Sequence, residues 1–572
     1  MIDYKLQIAQ IISKQDIGLS ADEIAEMIEV PADSNNGDFA FPCFRLAKMM
    51  REAPQMIAAG IAETIESESI FEKVERVNAY VNMFIRKDVF VKNVVTEVIR
   101  TGADYGKSNI GEGKTVIVEF SSPNIAKPFH IGHIRSTVIG NSIHKLYKAT
   151  GYDVVRINHL GDYGTQFGKM IVAYRLWGSE DELERSPIKS LLKYYTKFHE
   201  EVEKDPSLDD KARETFAKLE NGAEEEVALW KRFRDLSLEE FNRVYKMLGI
   251  EFDSYAGESF YSDKMPSVLQ ELKDKGLMHE SRGAQIVDLE DYGMPPAVIT
   301  KSDGSSLYAT RDIAAAIYRK QHYDFYKNIY VVATQQNLHF KQWKQVLELM
   351  GYSWQKDCIH VPFGLVSLED GTMSTRKGRV VFLEDVLSKA VEKTREIIEE
   401  KNTGGVDIDE ISREVGIGAV IFQELSNNRI KDYVFSWDKV LNFDGETGPY
   451  VQYTHARASS VLRNASQEEL SKIQNSDIGA FSYVTSESAY ELTKLIYRVP
   501  EVIREAAAKY EPSILTRHLI DIAQGFNRFY HDEHILVDNE DEKMAKLALV
   551  YASKITIADC LAILGIQAPD KM

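Results

Sequence analysis

The sequence is poor in cysteine and has no long apolar run. Its only cysteines are Cys43, Cys358 and Cys560, and none lies in a CxxC pair or near a Cys/His cluster. Neither a disulfide framework nor a structural zinc site is therefore predicted. No run of about 18 or more apolar residues occurs, and the first residues lack the basic-then-apolar layout of a signal peptide. We expect a protein of the reducing cytoplasm that does not enter a membrane.

Net positive charge is absent as well. The chain has 69 Lys and Arg against 88 Asp and Glu, which gives a formal net charge of −19 at pH 7. This balance weighs against nucleic acid as a partner, because phosphate binding depends on Lys and Arg. Net charge averages over a whole surface, however, and basic residues gather locally in residues 373–379, 429–431 and 457–463. The acidic balance therefore weakens the case for RNA without excluding it.

Length and hydrophobic periodicity predict a multidomain α/β protein. At roughly 150 residues per domain, the 572 residues should form three or four domains. Strand and helix patterns alternate in the middle of the chain, whereas helical spacing dominates its last part. The predicted parts are an N-terminal α+β accessory domain (1–105), the first half of a Rossmann-type parallel-sheet domain (106–180), a charged helical insertion (181–250), the second half of the sheet domain (251–400), a helical connector (401–445) and a C-terminal all-α helical bundle (446–572).

The most informative stretch is residues 115–137, TVIVEFSSPNIAKPFHIGHIRST. Its β-branched start, ended by a Ser-Ser-Pro turn, predicts a strand buried on both faces of a parallel sheet. Helical spacing over residues 134–149 predicts a helix. The loop between the strand and the helix carries Lys127, His130, Gly132 and His133.

Such a strand, loop and helix can hold an anion. Ligands bind at the carboxyl ends of parallel strands, where the amides of a helix start favour negative charge. His130 and His133 can donate to phosphate oxygens, and the missing side chain at Gly132 lets a base come close. Class I aminoacyl-tRNA synthetases and the smaller nucleotidylyltransferases both use this device to transfer an adenylyl group. The alternative is that the two histidines are ordinary solvated loop residues.

Polar segments also follow other predicted strands. They are NHLGDYGTQFG (158–168), LYATRDIA (307–314), QQNLHF (335–340) and GTMSTRKG (371–378). Polar groups at the carboxyl ends of strands can wall a site, and the cations of the last segment could neutralise the charge of a departing pyrophosphate. Each segment also has a structural interpretation: a glycine turn, a helix capped by Asp312, or a surface hairpin.

Together these segments resemble one family. SSPNIAKPFHIGHIRSTVIGNSI, NHLGDYGTQFG, LYATRDIA, YVQYTHAR and LGIQAPDKM are similar to motifs of the arginyl-tRNA synthetases, and GDFAFPCFRLAK resembles their N-terminal domain. The resemblance covers nearly the whole chain, and these motifs are far more specific than HxGH alone. It implies an arginine–tRNA ligase that forms arginyl-adenylate from arginine and ATP and transfers the arginine to the 3′-terminal ribose of tRNA(Arg).

The resemblance also implies which residues bind ATP, the substrate expected with Mg²⁺. They are His130, Gly132 and His133 of the HIGH loop, with Met373 and Ser374 of the loop that stands at the family's KMSKS position.

The KMSKS-position loop departs from the family pattern. Thr372 and Thr375 stand where the pattern has lysines. The resemblance therefore implies that Lys127 supplies the missing charge beside the two catalytic histidines, with Arg376 and Lys377 as further candidates.

Five residues are implied to bind the substrate arginine: Glu119, Asn124, Tyr308, Asp312 and Gln336. A guanidinium presents a planar fork of donors that a carboxylate can meet in bidentate fashion, and Tyr308 could lie against its face. Lysine would leave part of that geometry unpaired, and such sites reject analogues by roughly 10⁴ or more, so no editing domain is expected. From the sequence alone, Asp312 as a helix cap and Glu119 as a strand-end charge are equally good interpretations.

The resemblance also implies five residues that bind tRNA. They are Phe39 in the accessory domain and Tyr450, Gln452, Tyr453 and Arg457 in the anticodon-binding helices. Aromatic side chains with basic neighbours suit unpaired bases. For Phe39, a place in the core is the alternative. We expect the connector to contact the tRNA stem and the protein to be a monomer.

Two other functions stay open at this point. A stand-alone nucleotidylyltransferase would share the histidine loop, but it would leave the accessory and helical domains unexplained. A non-enzymatic RNA-binding relative would bind RNA without forming an adenylate. Such a relative would be expected to have lost histidines or pocket carboxylates, and this sequence has all of them.

Overall fold

The computed structural model describes residues 3–15, 17–31, 33–300, 308–368, 381–400, 407–442, 445–476, 478 and 481–572. The chain forms two compact units. The first contains residues 1–105, 454–499 and 521–559, and the second contains residues 106–453, 500–520 and 560–572.

The N-terminal part of the first unit is an α+β assembly, as predicted. In chain order it contains α1 (Tyr4–Ser13), α2 (Ala21–Met27), β1 (Phe39–Pro42), α3 (Ala47–Met50), α4 (Pro54–Ile65), β2 (Phe71–Val77), β3 (Tyr80–Ile85) and α5 (Lys87–Thr101). The strands pair antiparallel in the order β1-β3-β2. Helix α2 begins with a capping box, in which Ser20 and Glu23 satisfy each other's backbone amides.

The second unit is built on a parallel sheet. Its elements up to residue 440 are β4 (Thr115–Glu119), α6 (Ile134–Ala149), β5 (Asp153–Ile157), α7 (Thr165–Trp177), α8 (Glu180–Arg185), α9 (Pro187–Val202), α10 (Ser207–Glu220), α11 (Glu224–Leu248), α12 (Met265–Asp274), β6 (His279–Ser281), β7 (Ala284–Val287), β8 (Ala297–Thr300), α13 (Tyr308–Tyr323), β9 (Lys327–Ala333), α14 (Asn337–Leu349), β10 (Cys358–Phe363), β11 (Val366–Leu368), α15 (Leu383–Glu400), α16 (Ile408–Ser426), β12 (Tyr433–Phe435) and α17 (Trp437–Val440). Strands β10-β9-β4-β5 form the parallel sheet in that order. Helices α8 to α11 occupy the span 181–250 that is predicted to be a helical insertion, and α7 precedes it.

Strand β4 lies inside this sheet and fixes the position of the histidine loop. Val116, Ile117 and Val118 are fully buried, as expected for a strand covered on both faces. Helix α6 packs closely behind the strand: a Cβ atom added at Gly140 would lie only 2.1 Å from the Cβ atom of Phe120. The short strand-to-helix distance therefore depends on glycine at position 140.

Two of the predicted strands belong to a different sheet. Strands β6, β7 and β8 pair antiparallel in a separate three-stranded sheet. Residues 282 and 283 alone connect β6 to β7, and such a short connection permits only an antiparallel hairpin.

Five helices complete the chain: α18 (Gly448–Arg463), α19 (Gln467–Gln474), α20 (Glu487–Lys509), α21 (Ser513–Asp532) and α22 (Glu540–Leu564). Hydrophobic spacing in the sequence predicts a helix over residues 490–498, and the observed helix extends beyond this span at both ends. Helix α20 continues to Lys509 with Pro500 inside it. Val499 and Val502 are buried on either side of the proline, so burial offsets the hydrogen bond that proline cannot donate.

Helix α22 is long and apolar enough to cross a membrane by length and composition alone. However, 67% of its most apolar window is buried inside the protein, and a buried core helix passes the same test. The apolar character of α22 is therefore weak evidence for a membrane span.

Candidate active site

The loop after β4 is held in an unusual backbone conformation. Ser121, Ser122 and Ala126 have positive φ angles of 69°, 48° and 60°, a region that side chains other than glycine rarely adopt and that clusters at functional sites. Two hydroxyls hold the strained segment. The amide of Ser121 donates to Ser136 Oγ and the amide of Ala126 to Ser237 Oγ, each over 2.9 Å.

The two predicted histidines lie side by side at the start of a 3₁₀ turn that leads into α6. His130 Nδ1 accepts a hydrogen bond from the amide of Gly132, and His133 Nδ1 accepts one from the amide of His130, each over 3.1 Å. The ring centroids are 4.0 Å apart. Nδ1 of His130 is an acceptor, so its neutral ring carries the proton on Nε2 and can donate it to a ligand. Nδ1 of His133 also lies 3.2 Å from the carbonyl oxygen of His130, and the His133 ring carries its proton on Nε2 in the tautomer in which Nδ1 accepts from the amide of His130.

Burial keeps these imidazoles neutral. Burial lowers the pKa of His130 to about 4, and burial together with the neighbouring His130 and Lys127 lowers the pKa of His133 to about 3. At neutral pH the histidine loop therefore offers polar donors in fixed positions rather than positive charges.

Lys127 is the fixed cation beside this loop. It is half-buried, and its ammonium lies 5.7 Å from the ring centroid of Tyr195 on α9. Its contribution to the pKa of His133 shows that its charge reaches the histidine. The structure thus brings Lys127, His130 and His133 together, and their catalytic roles stay predictions.

The second predicted loop lies outside the described residues. Residues 369–380 include Met373, Ser374, Arg376 and Lys377, which stay predictions. The residues that follow this segment contact the histidine loop. The amide of Ile131 donates to the carbonyl oxygen of Val381 over 3.1 Å, and the amide of Leu383 donates to that of Phe129 over 2.9 Å.

Arg135 was not predicted from the sequence, although it lies two residues after the histidine loop. Its guanidinium is fully buried and donates to the carbonyl oxygens of Gly364, over 3.0 Å, and Lys431, over 2.7 Å. It also lies 5.2 Å from the ring centroid of Tyr433 on β12. Strand β12 pairs with β11, whose last residue is Leu368. Arg135 therefore ties helix α6 to the segments that lead into β11, which precedes the second loop, and β12, which follows it.

Glu119, at the end of β4, is paired inside the protein. Arg319 of α13 donates to its carboxylate over 2.5 Å, and the Arg319 side chain has no exposed surface. The rings of Tyr261 and Tyr330 have centroids 5.7 and 5.6 Å from this guanidinium. A distant arginine partner for Glu119 has no signal in the sequence, since the two residues lie 200 positions apart.

Asn124 lies on the surface of the same loop. Its backbone pairs with Gly161 of the NHLGDYG segment. A Cβ atom at Gly161 would lie 2.2 Å from the amide oxygen of Asn124, so glycine there leaves room for the asparagine side chain. The two predicted walls of the site therefore meet at this point.

Asp312 of α13 pairs with His339 of α14. The imidazole Nε2 of His339 donates to the Asp312 carboxylate over 2.5 Å. Tyr308 precedes Asp312 by one turn of α13 and is 64% exposed, and the exposed Gln336 precedes His339 by three residues. Positions three and four apart share one face of a helix. Tyr308 and Asp312 therefore share one face of α13, and Gln336 lies in the turn that ends just before α14, whose His339 contacts Asp312.

Of the predicted tRNA-binding residues, Phe39 is not on the surface. It is 3% exposed and stacks on Tyr4, with ring centroids 6.2 Å apart. This burial favours the core interpretation of Phe39. Phe44 in the same motif is 51% exposed and is the aromatic side chain of that segment that a base could reach.

The four residues of the YVQYTHAR motif differ in their surroundings. Gln452 is fully buried and donates to the carbonyl oxygens of Glu414 and Gln567, a structural role that the sequence does not indicate. Tyr450 is half-buried. Tyr453 is 40% exposed, and Arg457 lies 5.4 Å from the ring centroid of Tyr530.

The chain was compared with known proteins. It matches the family models for the class I (R) tRNA synthetase catalytic domain over residues 94–437, the DALR anticodon binding domain over 451–572 and the arginyl tRNA synthetase N terminal domain over 3–85. It is 57% identical to the arginine–tRNA ligases of Halothermothrix orenii and Clostridioides difficile, over 100% of each chain. The arginyl-tRNA synthetase of Thermus thermophilus has the same fold, with a TM-score of 0.80, 24% identity and coverage of 99% of this chain and 98% of the other.

The histidine loop lies at the carboxyl end of an inner strand of a parallel sheet, and a catalytic-domain model matches residues 94–437. These two findings define a class I aminoacyl-tRNA synthetase. Identity of 57% along the full length gives the particular family. The chain belongs to the arginyl-tRNA synthetases, and the resemblance seen in its sequence motifs is confirmed.

Proposed function

We propose that the protein is an arginine–tRNA ligase of the cytoplasm that acts on L-arginine, ATP and tRNA(Arg) as a monomer. The observation that carries this proposal is the position of two groups of side chains beside one parallel sheet. The neutral histidine loop follows β4. Strand β9, the neighbour of β4 in the sheet, comes between α13, which carries Tyr308 and Asp312, and the turn with Gln336, and Asp312 pairs with His339 of α14. Nucleotide and amino acid can thus bind side by side.

In the first step, a carboxylate oxygen of arginine attacks the α-phosphorus of ATP in line with the leaving group. A phosphorus–oxygen bond forms, the bond to pyrophosphate breaks, and arginyl-adenylate results. The carboxylate needs no general base, so catalysis consists of positioning and charge stabilisation. The Nε2–H groups of His130 and His133 would donate to phosphate oxygens, and Lys127 would neutralise developing charge.

In the second step, a hydroxyl of the 3′-terminal ribose of tRNA attacks the carbonyl carbon of the adenylate. The ester bond to tRNA forms and AMP leaves with the electron pair of the broken bond. ATP is expected to bind with Mg²⁺, which would neutralise part of the triphosphate charge. Among the described residues, no group of three or more His, Cys, Asp or Glu side chains is placed to hold a metal ion.

The test is arginine-dependent exchange of pyrophosphate into ATP by the purified full chain, with and without total tRNA. Lysine serves as the control amino acid, because it lacks the planar donor fork that the pocket is proposed to read. We expect exchange with arginine only. Absence of exchange from folded protein that still binds RNA would instead identify a non-enzymatic RNA-binding relative.

A further inference from the structure

Three carboxylates near the proposed arginine pocket already have cations of the protein as partners. Glu119 pairs with Arg319 over 2.5 Å, Glu258 with Arg311 over 2.9 Å, and Asp312 with His339 over 2.5 Å. A substrate guanidinium would add a fourth positive charge to a region in which these three negative charges are neutralised. One internal partner must therefore give way for the substrate to gain a full ion pair.

The three pairs differ in how open they are. The side chain of Glu119 is 8% exposed, that of Glu258 15% and that of Asp312 30%. The Asp312 carboxylate is therefore the one of the three that an incoming ligand reaches most easily. It also shares its face of α13 with the exposed ring of Tyr308.

The three pairs also differ in whether the cation can lose its proton. A guanidinium does not lose its proton in a protein, so Arg311 and Arg319 stay charged. An imidazole titrates near neutral pH. His339 is thus the internal partner that can give up its charge by releasing a proton, without moving away from Asp312.

We propose that His339 is a charge placeholder for the substrate. In the empty pocket its imidazolium pairs with Asp312, and the guanidinium of bound arginine replaces that charge. The Nδ1 proton of the imidazolium passes to solvent while Nε2–H keeps its hydrogen bond to Asp312, so one positive charge enters as one leaves, and no other bond changes. This inference rests on the proposed function, and it makes arginine binding dependent on pH through His339, which lies in the QQNLHF segment but is not among the residues that the resemblance implies for arginine.

The charged and titratable groups around this pair agree with such a switch. Burial alone would lower the pKa of His339, but the hydrogen bond and the charge of Asp312 outweigh burial and raise it. From β10, His360 faces His339, and burial lowers the pKa of His360. Arg311 and His159 lie near Asp312 and help to lower its pKa. Because several charged groups surround Asp312, the test needs a variant at position 339.

The first experiment measures the arginine KM and the kcat of exchange between pH 6 and pH 9, with total tRNA present. In the wild-type protein we expect KM to fall about tenfold per pH unit until His339 has lost its proton, and then to level off. In His339→Gln an amide donor still reaches Asp312 but does not titrate, so KM should stay flat. His322→Gln on the exposed side of α13 is the matched control and should keep the wild-type slope.

The second experiment needs no variant and therefore does not depend on whether His339→Gln folds. Calorimetric titration of arginine into the wild-type protein, in two buffers of different ionisation enthalpy, gives the number of protons released. We expect about one proton on the acidic side of the KM curve and none on the alkaline side. No proton release, or an unchanged slope in His339→Gln, would overturn the inference. Failure of every variant to use or bind arginine at any pH would contradict the proposed function instead.

Discussion

At the scale of single residues, the pair of Arg319 and Glu119 should matter for stability as well as for the pocket. Arg319→Met would leave the buried Glu119 carboxylate without its partner, so we expect a loss of about 3–5 kcal/mol in the free energy of unfolding. Urea unfolding followed by tryptophan fluorescence measures this loss. The double variant Arg319→Met with Glu119→Gln removes both charges and should recover part of the stability. An equal loss in both variants would show that packing, and not charge, is responsible.

The neutral state of the histidine loop gives a second prediction at this scale. His133→Ala should lower the rate of adenylate formation about 10²-fold with little change in the arginine KM, because it removes a donor to the transition state. The wild-type kcat should be flat between pH 6 and pH 9, since His130 and His133 titrate near pH 4 and pH 3. Both pKa values lie below the ordinary value, so the stability from the neutral rings is present above about pH 6.5 and is lost on acidification. A kcat that follows a group titrating near pH 7 would contradict this assignment.

At the scale of elements, the fit between α6 and β4 depends on Gly140. Gly140→Ala would place a Cβ atom 2.1 Å from Phe120 Cβ, so the helix must shift away from the strand. We expect a loss of about 1–3 kcal/mol in stability and a lower rate of exchange, because the histidine loop is joined to α6. Thermal unfolding and the exchange assay check both effects. Gly60→Ala in α4 is the control: nothing lies within 4 Å of that position, so the variant should gain about 0.5–1 kcal/mol from helix propensity.

The sequence predicted helices and strands more accurately than it predicted which side chains contact each other. The span 134–149 is the observed α6, and β4, β5 and β9 lie within two residues of the strands that the sequence predicts at 116–120, 154–157 and 329–333, because hydrophobic periodicity is a local signal. The partners of Glu119 and Asp312 lie 200 and 27 positions away, and no periodicity encodes such distances. For the same reason the resemblance indicated Asp312 but not His339. For Phe39 the local pattern was also insufficient, since the alternation of a strand fits a buried ring and an exposed ring equally well.

At the scale of the whole molecule, the first and last parts of the chain share one compact unit. Residues 1–105 belong with residues 454–499 and 521–559. The Tyr490 hydroxyl donates to the Asp38 carboxylate over 2.7 Å, and the Tyr105 hydroxyl donates to the carbonyl oxygen of Ile496 over 3.1 Å. The sequence suggested an accessory domain and a helical domain as distinct parts, because it shows apolar faces without showing which of them meet.

Because these segments share one unit, we expect a destabilising substitution in residues 1–105 to destabilise residues 454–499 as well. Phe90 of α5 is 1% exposed, and its ring centroid lies 5.1 Å from that of Tyr4 and 5.4 Å from those of Tyr490 and Tyr497. Phe90→Ala should cost about 3–5 kcal/mol through lost contacts and the cavity left behind.

Hydrogen exchange by mass spectrometry can locate that loss, because cooperative units open together. We expect faster exchange in residues 1–105 and 454–499 alike, with residues 106–453 unchanged. Phe44→Ala, at a position that is 51% exposed, is the matched control and should leave all three segments as they are. Faster exchange confined to residues 1–105 would mean that the N-terminal part opens alone, and that the aromatic contacts to Tyr490 and Tyr497 do not couple the two ends of the chain.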